Sequence, residues 1–263
     1  MKNLIILLFF SSIATVFGQN RKLIASKLNH ITIDADEFLG YDQFGFYYTI
    51  NNNVFTKTKD STSLGYKNIS LGKITKADIQ NPLKIILFYE NFNSVIILDN
   101  QLNEIQSINF SENPNPIVTN AIGMATQNQL WIYNSLNQQI GLYDYLKNQY
   151  KSISTSFPES ITYYQSSLTT FNWIDQKNNW YSCDRFGKIK AKTRTVDFDL
   201  ITIINENQYL ISKNANLSIE DIEKNEKYEI DVLEKTFKNF NYKDQILSIF
   251  TTEGITNYKI IIP

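Results

Sequence analysis

His30 is the only histidine and Cys183 the only cysteine in this 263-residue chain. That bounds the chemistry it can do. A nucleophilic triad needs an imidazole-type base beside a serine or cysteine, and no G-x-S-x-G elbow accompanies His30. One His and one Cys are too few soft ligands for zinc. Calcium needs only carboxylates and carbonyls. The densest acidic group, Asp34, Asp36 and Glu37, lacks the D-x-D-x-D-G spacing and reads as a solvated turn. Cys183 stands between Ser182 and Asp184 and reads as a small buried hydrophobe. A reactive thiol would need nearby positive charge, for which Arg185 is a weak cue. Carboxylates converging from different strands could still serve a hydrolase, but sequence does not show which would meet. The expectation is a chain without catalytic residues, cofactor or metal site, with an enzyme as the less favoured reading.

The N-terminus places the protein. Met1-Lys2-Asn3 is followed by an uncharged stretch from Leu4 to Phe10, then small and polar residues to Gly18-Gln19. A basic start, an apolar middle and a small-residue end make a secretory signal peptide. Cleavage after Gly18 would leave 19–263 as a single domain. An anchor is disfavoured, because Ser11, Ser12, Thr15 and Gln19 interrupt a stretch that barely reaches spanning length. No later segment is apolar enough to span, so no transmembrane segment is expected after cleavage. A lone thiol cannot form a disulfide within the chain, and a large exported domain without one suits a bacterial periplasm. Abundant Asn, Ile and Lys fits an AT-rich bacterial genome. The net charge of −1 leaves no basic excess for phosphates, which excludes nucleic acid as a partner.

The elements that carry these residues repeat. Five apolar runs end in Asp60, Asp99, Asp144, Asp184 and Asp221, at spacings of 39, 45, 40 and 37 residues, and each is followed by a second apolar run. A period near 40 made of short strands is the signature of a β-propeller. Sandwiches and open barrels also use short strands, but recurrence of one punctuation mark at blade length favours the propeller. The Asp side chain can accept hydrogen bonds from backbone N–H groups two residues on, closing an Asx turn. These five are assigned as structural turn residues.

Further apolar runs precede each Asp strand. They are Ile74–Ile79 and Leu83–Tyr89, with Pro82 at the start of the latter, then Ala121–Ala125 and Gln129–Asn134. Next come Ile161–Gln165 and Leu168–Ile174, then Leu200–Ile204 and Gln208–Ser212. The C-terminal remainder holds three strands, Phe240–Tyr242, Ile246–Thr251 and Ile255–Ile262, and lacks a fourth. An unpaired edge is costly and prone to aggregate, so the N-terminal segment Leu23–Ile33 is predicted to complete that blade. The expected fold is all-β, a six-bladed propeller of four-stranded blades, the last closed by the N-terminal strand.

The copy Asp184-Arg185-Phe186-Gly187-Lys188-Ile189 resembles the strand–Asp-x-x-Gly-Lys–strand element of exported bacterial propellers related to the NHL and quinoprotein-like groups. The resemblance implies the fold and carries no activity. Trp131, Trp173 and Trp180 do not recur at one blade position, so the quinoprotein tryptophan pattern is absent.

Function then falls to loops. Loops between second and third strands share a face with the blade-to-blade connections. They are amide-rich with apolar tips, a composition suited to protein or glycan recognition. The candidate partner-binding residues are Asn91, Phe92, Asn93, Pro114, Pro116, Leu136, Asn137 and Lys177. Asp60-Ser61-Thr62 also matches an O-glycosylation acceptor pattern of some bacterial envelope proteins. The expected function is a non-enzymatic periplasmic module docking on another envelope protein, more narrowly an accessory subunit of an outer-membrane transport or assembly complex. The alternative is a hydrolase- or lactonase-like channel enzyme or a glycan binder.

Overall fold

A computed structural model describes residues 20–263 except Pro158 and Lys235. The signal peptide read at 1–18 lies outside the described residues. These form strands throughout, with two short 3-10 turns at Glu90–Phe92 and Phe110–Glu112 and no α-helix. No helix among them is long and apolar enough to cross a membrane.

The chain opens with β1 (Asn20–Ile24) and β2 (Ser26–Ile31). Blade one follows as β3 (Glu37–Tyr41), β4 (Tyr47–Asn51), β5 (Val54–Lys59) and β6 (Thr62–Tyr66). Blade two is β7 (Lys76–Asp78), β8 (Ile85–Tyr89), β9 (Ser94–Leu98) and β10 (Glu104–Asn109). Blade three is β11 (Thr119–Met124), β12 (Gln129–Asn134), β13 (Gln139–Asp144) and β14 (Gln149–Ser152). Blade four is β15 (Ile161–Ser166), β16 (Thr170–Asp175), β17 (Asn179–Asp184) and β18 (Ile189–Arg194). Blade five is β19 (Leu200–Ile203), β20 (Gln208–Lys213), β21 (Asn216–Asp221) and β22 (Glu226–Asp231). Blade six supplies β23 (Asn239–Lys243), β24 (Ile246–Thr251) and β25 (Gly254–Lys259). Each blade is an antiparallel meander in its own sheet, so the chain is a six-bladed β-propeller.

The core lies between blades. A middle strand has a neighbouring blade on both faces, which is why β8 (Ile-Ile-Leu-Phe-Tyr) is apolar and buried throughout. Ile86, Phe88, Val95 and Ile97 of blade two meet Leu130, Ile132 and Tyr143 of blade three in one such layer. Outer strands face water on one side, so β10 is mostly exposed.

The ring closes at the N-terminus. β2 pairs antiparallel with β25, from Ser26 against Lys259 to Ile31 against Ile255, and supplies the missing outer strand of blade six. The segment Leu23–Ile33 is not one strand, however. β1 pairs in parallel with β22, with Leu23 opposite Ile230, and makes blade five a five-stranded sheet. Only Ala25 separates the two strands, so one extended run bridges the rims of blades five and six. Leu23 explains the detour: it is buried with Leu217, Tyr228 and Ile230, a burial that contributes about 2 kcal/mol. A smaller correction concerns Pro82. It lies in the loop before β8, where the Lys84 N–H donates to the Asn81 carbonyl at 2.9 Å, so the strand starts at Ile85.

Candidate interaction face

The recurring aspartates sit where third strands turn into fourth. Asp99 Oδ1 accepts the N–H groups of Gln101 and Asn103, both at 2.8 Å. Asp144 accepts from Leu146 and Lys147, Asp184 from Phe186 and Lys188, and Asp221 from Glu223 and Lys224. Asp60 is built differently. It is the first residue of a two-residue turn between the paired Lys59 and Thr62, with a left-handed φ of +50°. Asp-Ser-Thr at that tip is exposed. Two further aspartates do the same work elsewhere. Asp42 accepts from the N–H groups of Phe44 and Phe46, and Asp175 from those of Lys177 and Asn179. The sequence holds a cue for Asp175: it repeats the Asp-x-x-x-Asn spacing of Asp99 and Asn103, and both asparagine amides donate back to their carboxylate.

The residues with catalytic side chains lie apart. His30 is on outer strand β2, its Nδ1 3.0 Å from Thr256 Oγ1. Cys183 is buried in the layer between blades three and four. Burial, then the charge of Asp184, pushes its thiol up to about 12, so it stays protonated and inert. Asp36 caps the Asn52 N–H at 2.8 Å. Glu37 opens β3, and burial raises its carboxyl despite Lys76 and Lys73 nearby. Asp78, on the inner strand of blade two, is raised by burial, partly offset by bonds from Met124 and Gln80. Its Oδ2 accepts the Met124 N–H at 2.7 Å and the Gln80 amide at 3.0 Å, and that amide also reaches the Ser166 carbonyl at 2.8 Å. This inner acid is committed to holding blades two, three and four together. Among the described residues no group of three or more His, Cys, Asp or Glu side chains could hold a metal ion.

The face formed by second-to-third-strand loops and blade-to-blade connections is tied by asparagines. Asn93 takes a left-handed φ of +47° at the end of the first 3-10 turn, directly after Phe92. Its amide donates to the Ile117 carbonyl at 2.7 Å and accepts the Thr119 N–H at 3.0 Å. Asn134, in the next blade, accepts the N–H groups of Val118 at 3.1 Å and Leu136 at 3.2 Å. One hydrogen-bonded line therefore runs from Phe92 through the connection that carries Pro114 and Pro116 to Leu136. Along it Phe92 is 50 % exposed, Val118 42 % and Leu136 60 %. Pro114, Pro116, Asn91 and Asn137 are exposed beside them. Asn137 also accepts the Gln139 N–H at 3.2 Å. Lys177 lies one blade further on, paired with Glu159, whose carboxylate raises the lysine.

Asn93 thus belongs to the scaffold of this face as well as to the candidate set, and Val118, which the sequence did not single out, lies on its surface. A cleft of about 420 Å3 adjoins the line, walled by Glu90, Asn120, Tyr133, Ser135 and Tyr164. The opposite face, made of the other hairpin tips, carries apolar residues that the sequence reading passed over. Phe186 there is 93 % exposed, and Leu146 is also exposed. Each stands two residues after a turn aspartate, where the Asx turn points a side chain outward.

The geometry defines a six-bladed propeller with two loop faces, and among the described residues His30 and Cys183 lie on different blades. No protein-family model matches the chain, and no curated protein matches it in sequence. Solved structures do share its shape. A member of the DUF4221 family from Bacteroides vulgatus is 8 % identical over 94 % of this chain and 98 % of its own, with a TM-score of 0.61. The BBS1 N-terminal domain, crystallised in complex with ARL6, is 9 % identical over 88 % and 79 %, at 0.57. Virginiamycin B lyase from Staphylococcus aureus is 13 % identical over 85 % and 80 %, at 0.53. At such identities the likeness shows the fold alone.

Proposed function

We propose that this protein is a non-enzymatic interaction module that docks a partner protein on the face carrying Phe92, Val118 and Leu136. One observation carries the reading. Three half-exposed apolar side chains from two blades lie along a single line held rigid by Asn93 and Asn134. Preformed apolar anchors rimmed by amides cost little ordering entropy on binding. The complex of the similarly folded BBS1 domain with ARL6 supports protein docking as a use of such a ring.

The leader-like N-terminus supports export, and with it a periplasmic location and an envelope protein as partner. An accessory role in an outer-membrane transport or assembly complex is the narrower form of the same reading. The test is an affinity capture from intact envelopes with the wild-type protein and a Phe92→Asp/Leu136→Asp variant. Wild type should return one partner in stoichiometric amount, and the variant should lose it. Both sites are half exposed, so stability should move by less than about 1 kcal/mol. A partner retained by the variant, or none captured by wild type, refutes the proposal. N-terminal analysis of the exported chain should begin at Gln19.

A further inference from the structure

The layer between blades four and five departs from its neighbours at one position. Three residues before the end of the second strand, blades two, three and five place the apolar cross-strand pairs Ile86–Ile97, Trp131–Leu142 and Leu210–Ile219. All six of those residues are buried. Blade four places Asn172 opposite Ser182, and Lys190 continues the row on β18. Blades one and six also place polar groups here, Tyr48–Lys57 and Ser248–Asn257, but those four residues are buried, whereas Asn172 is only half-buried. The buried apolar layer between blades four and five is Ile174, Trp180, Ile201, Ile203, Tyr209 and Ile211, with Tyr163, Phe198 and Ile222 packed against it. Closing blade five onto polar walls would strand their hydrogen-bonding groups. A cleft of about 360 Å3 remains, open at the face that carries Phe186.

Its walls are hydroxyls, amides and ammonium groups. Thr170, Asn172 and Ser182 line it together with Lys188, Lys190 and Lys192. Asn172 Oδ1 accepts from the Trp180 indole at 3.2 Å, which leaves its amide N–H2 for the cleft. Lys192 reaches the exposed carboxylate of Glu206 at 3.5 Å, whereas neither Lys188 nor Lys190 has an ion-pair partner among the described residues. Asp184 is the other acid in the wall, and its Oδ1 is already committed to two backbone N–H groups. Lysines on outer strands can simply guard a sheet edge. β18 carries two, against one each on the outer strands β2, β14 and β22 and none on β6 and β10, and both of its lysines line the cleft.

We infer that this inter-blade cleft binds an anionic oligosaccharide, its carboxylate or sulfate groups on Lys188 and Lys190 and its hydroxyls on Asn172, Ser182 and Thr170. The cleft has hydrogen-bonding walls and lacks the aromatic anchor that a peptide hot spot uses, so a sugar fits it better than an acidic peptide. The site lies on the opposite face from Phe92 and Leu136, so its success or failure is independent of the docking proposal.

The experiment is calorimetric titration of the full mature chain with tetragalacturonate, with maltotetraose and tetra-aspartate in parallel. Tetragalacturonate should bind saturably, and each comparator about tenfold more weakly or worse. Lys188→Gln/Lys190→Gln should weaken tetragalacturonate by about tenfold or more. Asn172→Leu/Ser182→Ile rebuilds the apolar pair of blades two, three and five and should abolish binding while raising the melting temperature. Phe92→Asp/Leu136→Asp should bind like wild type. Absence of saturable binding, equal affinity for tetra-aspartate or maltotetraose, or unchanged affinity in the double-lysine variant overturns the inference.

Discussion

The side-chain amide of Gln165 grips the backbone of Ile203 at both ends: Oε1 accepts the Ile203 N–H at 3.0 Å, and Nε2 donates to the Ile203 carbonyl at 2.8 Å. The Tyr163 hydroxyl holds the same Oε1 at 2.6 Å. Inner strands of adjacent blades belong to separate sheets, so edge groups facing the axis need other partners. Here a glutamine takes the place of a strand and joins blade four to blade five in the wall of the polar cleft.

Gln165→Leu removes both bonds at once. Leaving one donor and one acceptor unpaired should cost about 2–4 kcal/mol, read as a lower urea midpoint. Amide exchange at Ile203 should accelerate more than at neighbouring residues. An unchanged midpoint with unchanged exchange would show that the pair is incidental.

Ring closure offers a second test, at Gly254. This residue begins β25 with φ +127°, and a Cβ built on it would lie 2.1 Å from the Ile31 carbonyl oxygen. Gly254→Ala should therefore force β2 away from β25, cost about 2–4 kcal/mol and speed proteolysis at Lys27. Gly65→Ala is the control. Its Cβ would meet only Val54 Cγ1 at 3.6 Å and Thr56 Cγ2 at 3.9 Å, both ordinary contacts, and stability should change by less than about 1 kcal/mol. Equal losses at the two positions would contradict the steric account.

Acid should loosen the exposed hairpin of blade two. The Asn103 side-chain amide, followed by the Asn103 and Gln101 N–H groups, holds the Asp99 carboxyl below its usual range. A depressed folded-state value means that the stabilisation is present above the unfolded value, about pH 4, and is lost as pH falls through the folded one. Asp99→Asn keeps the Oδ1 acceptor but does not titrate. Its urea midpoint should fall less than that of wild type between pH 6 and pH 3. Parallel pH profiles for the two proteins would rule the coupling out.

The blade repeat was legible because it is local physics written six times. Gln129–Asn134 and Ile246–Thr251 occupy the same residues in sequence and structure, since middle strands are apolar on both faces and end at strong turn formers. Asp60 lies in its turn through a positive φ where the other four aspartates cap theirs, and the two ways of serving a turn look alike in sequence. The strand at Asn20–Ile24 was merged with its neighbour because the step at Ala25 has no Gly or Pro to mark it; what separates the strands is where Leu23 finds a pocket.

Two kinds of information separate at this point. Period, strand count, the need for a borrowed outer strand and the shortage of catalytic side chains follow from residue order, because backbone pairing and chain ends obey near-neighbour rules. The tertiary structure alone decided which loops share a line, that Asn93 supports while Val118 is displayed, and that Asn172 meets Ser182 where blades two, three and five close on apolar pairs. Those depend on contacts between residues far apart in the chain, whose register and facing direction are set only when six separately formed sheets pack around one axis.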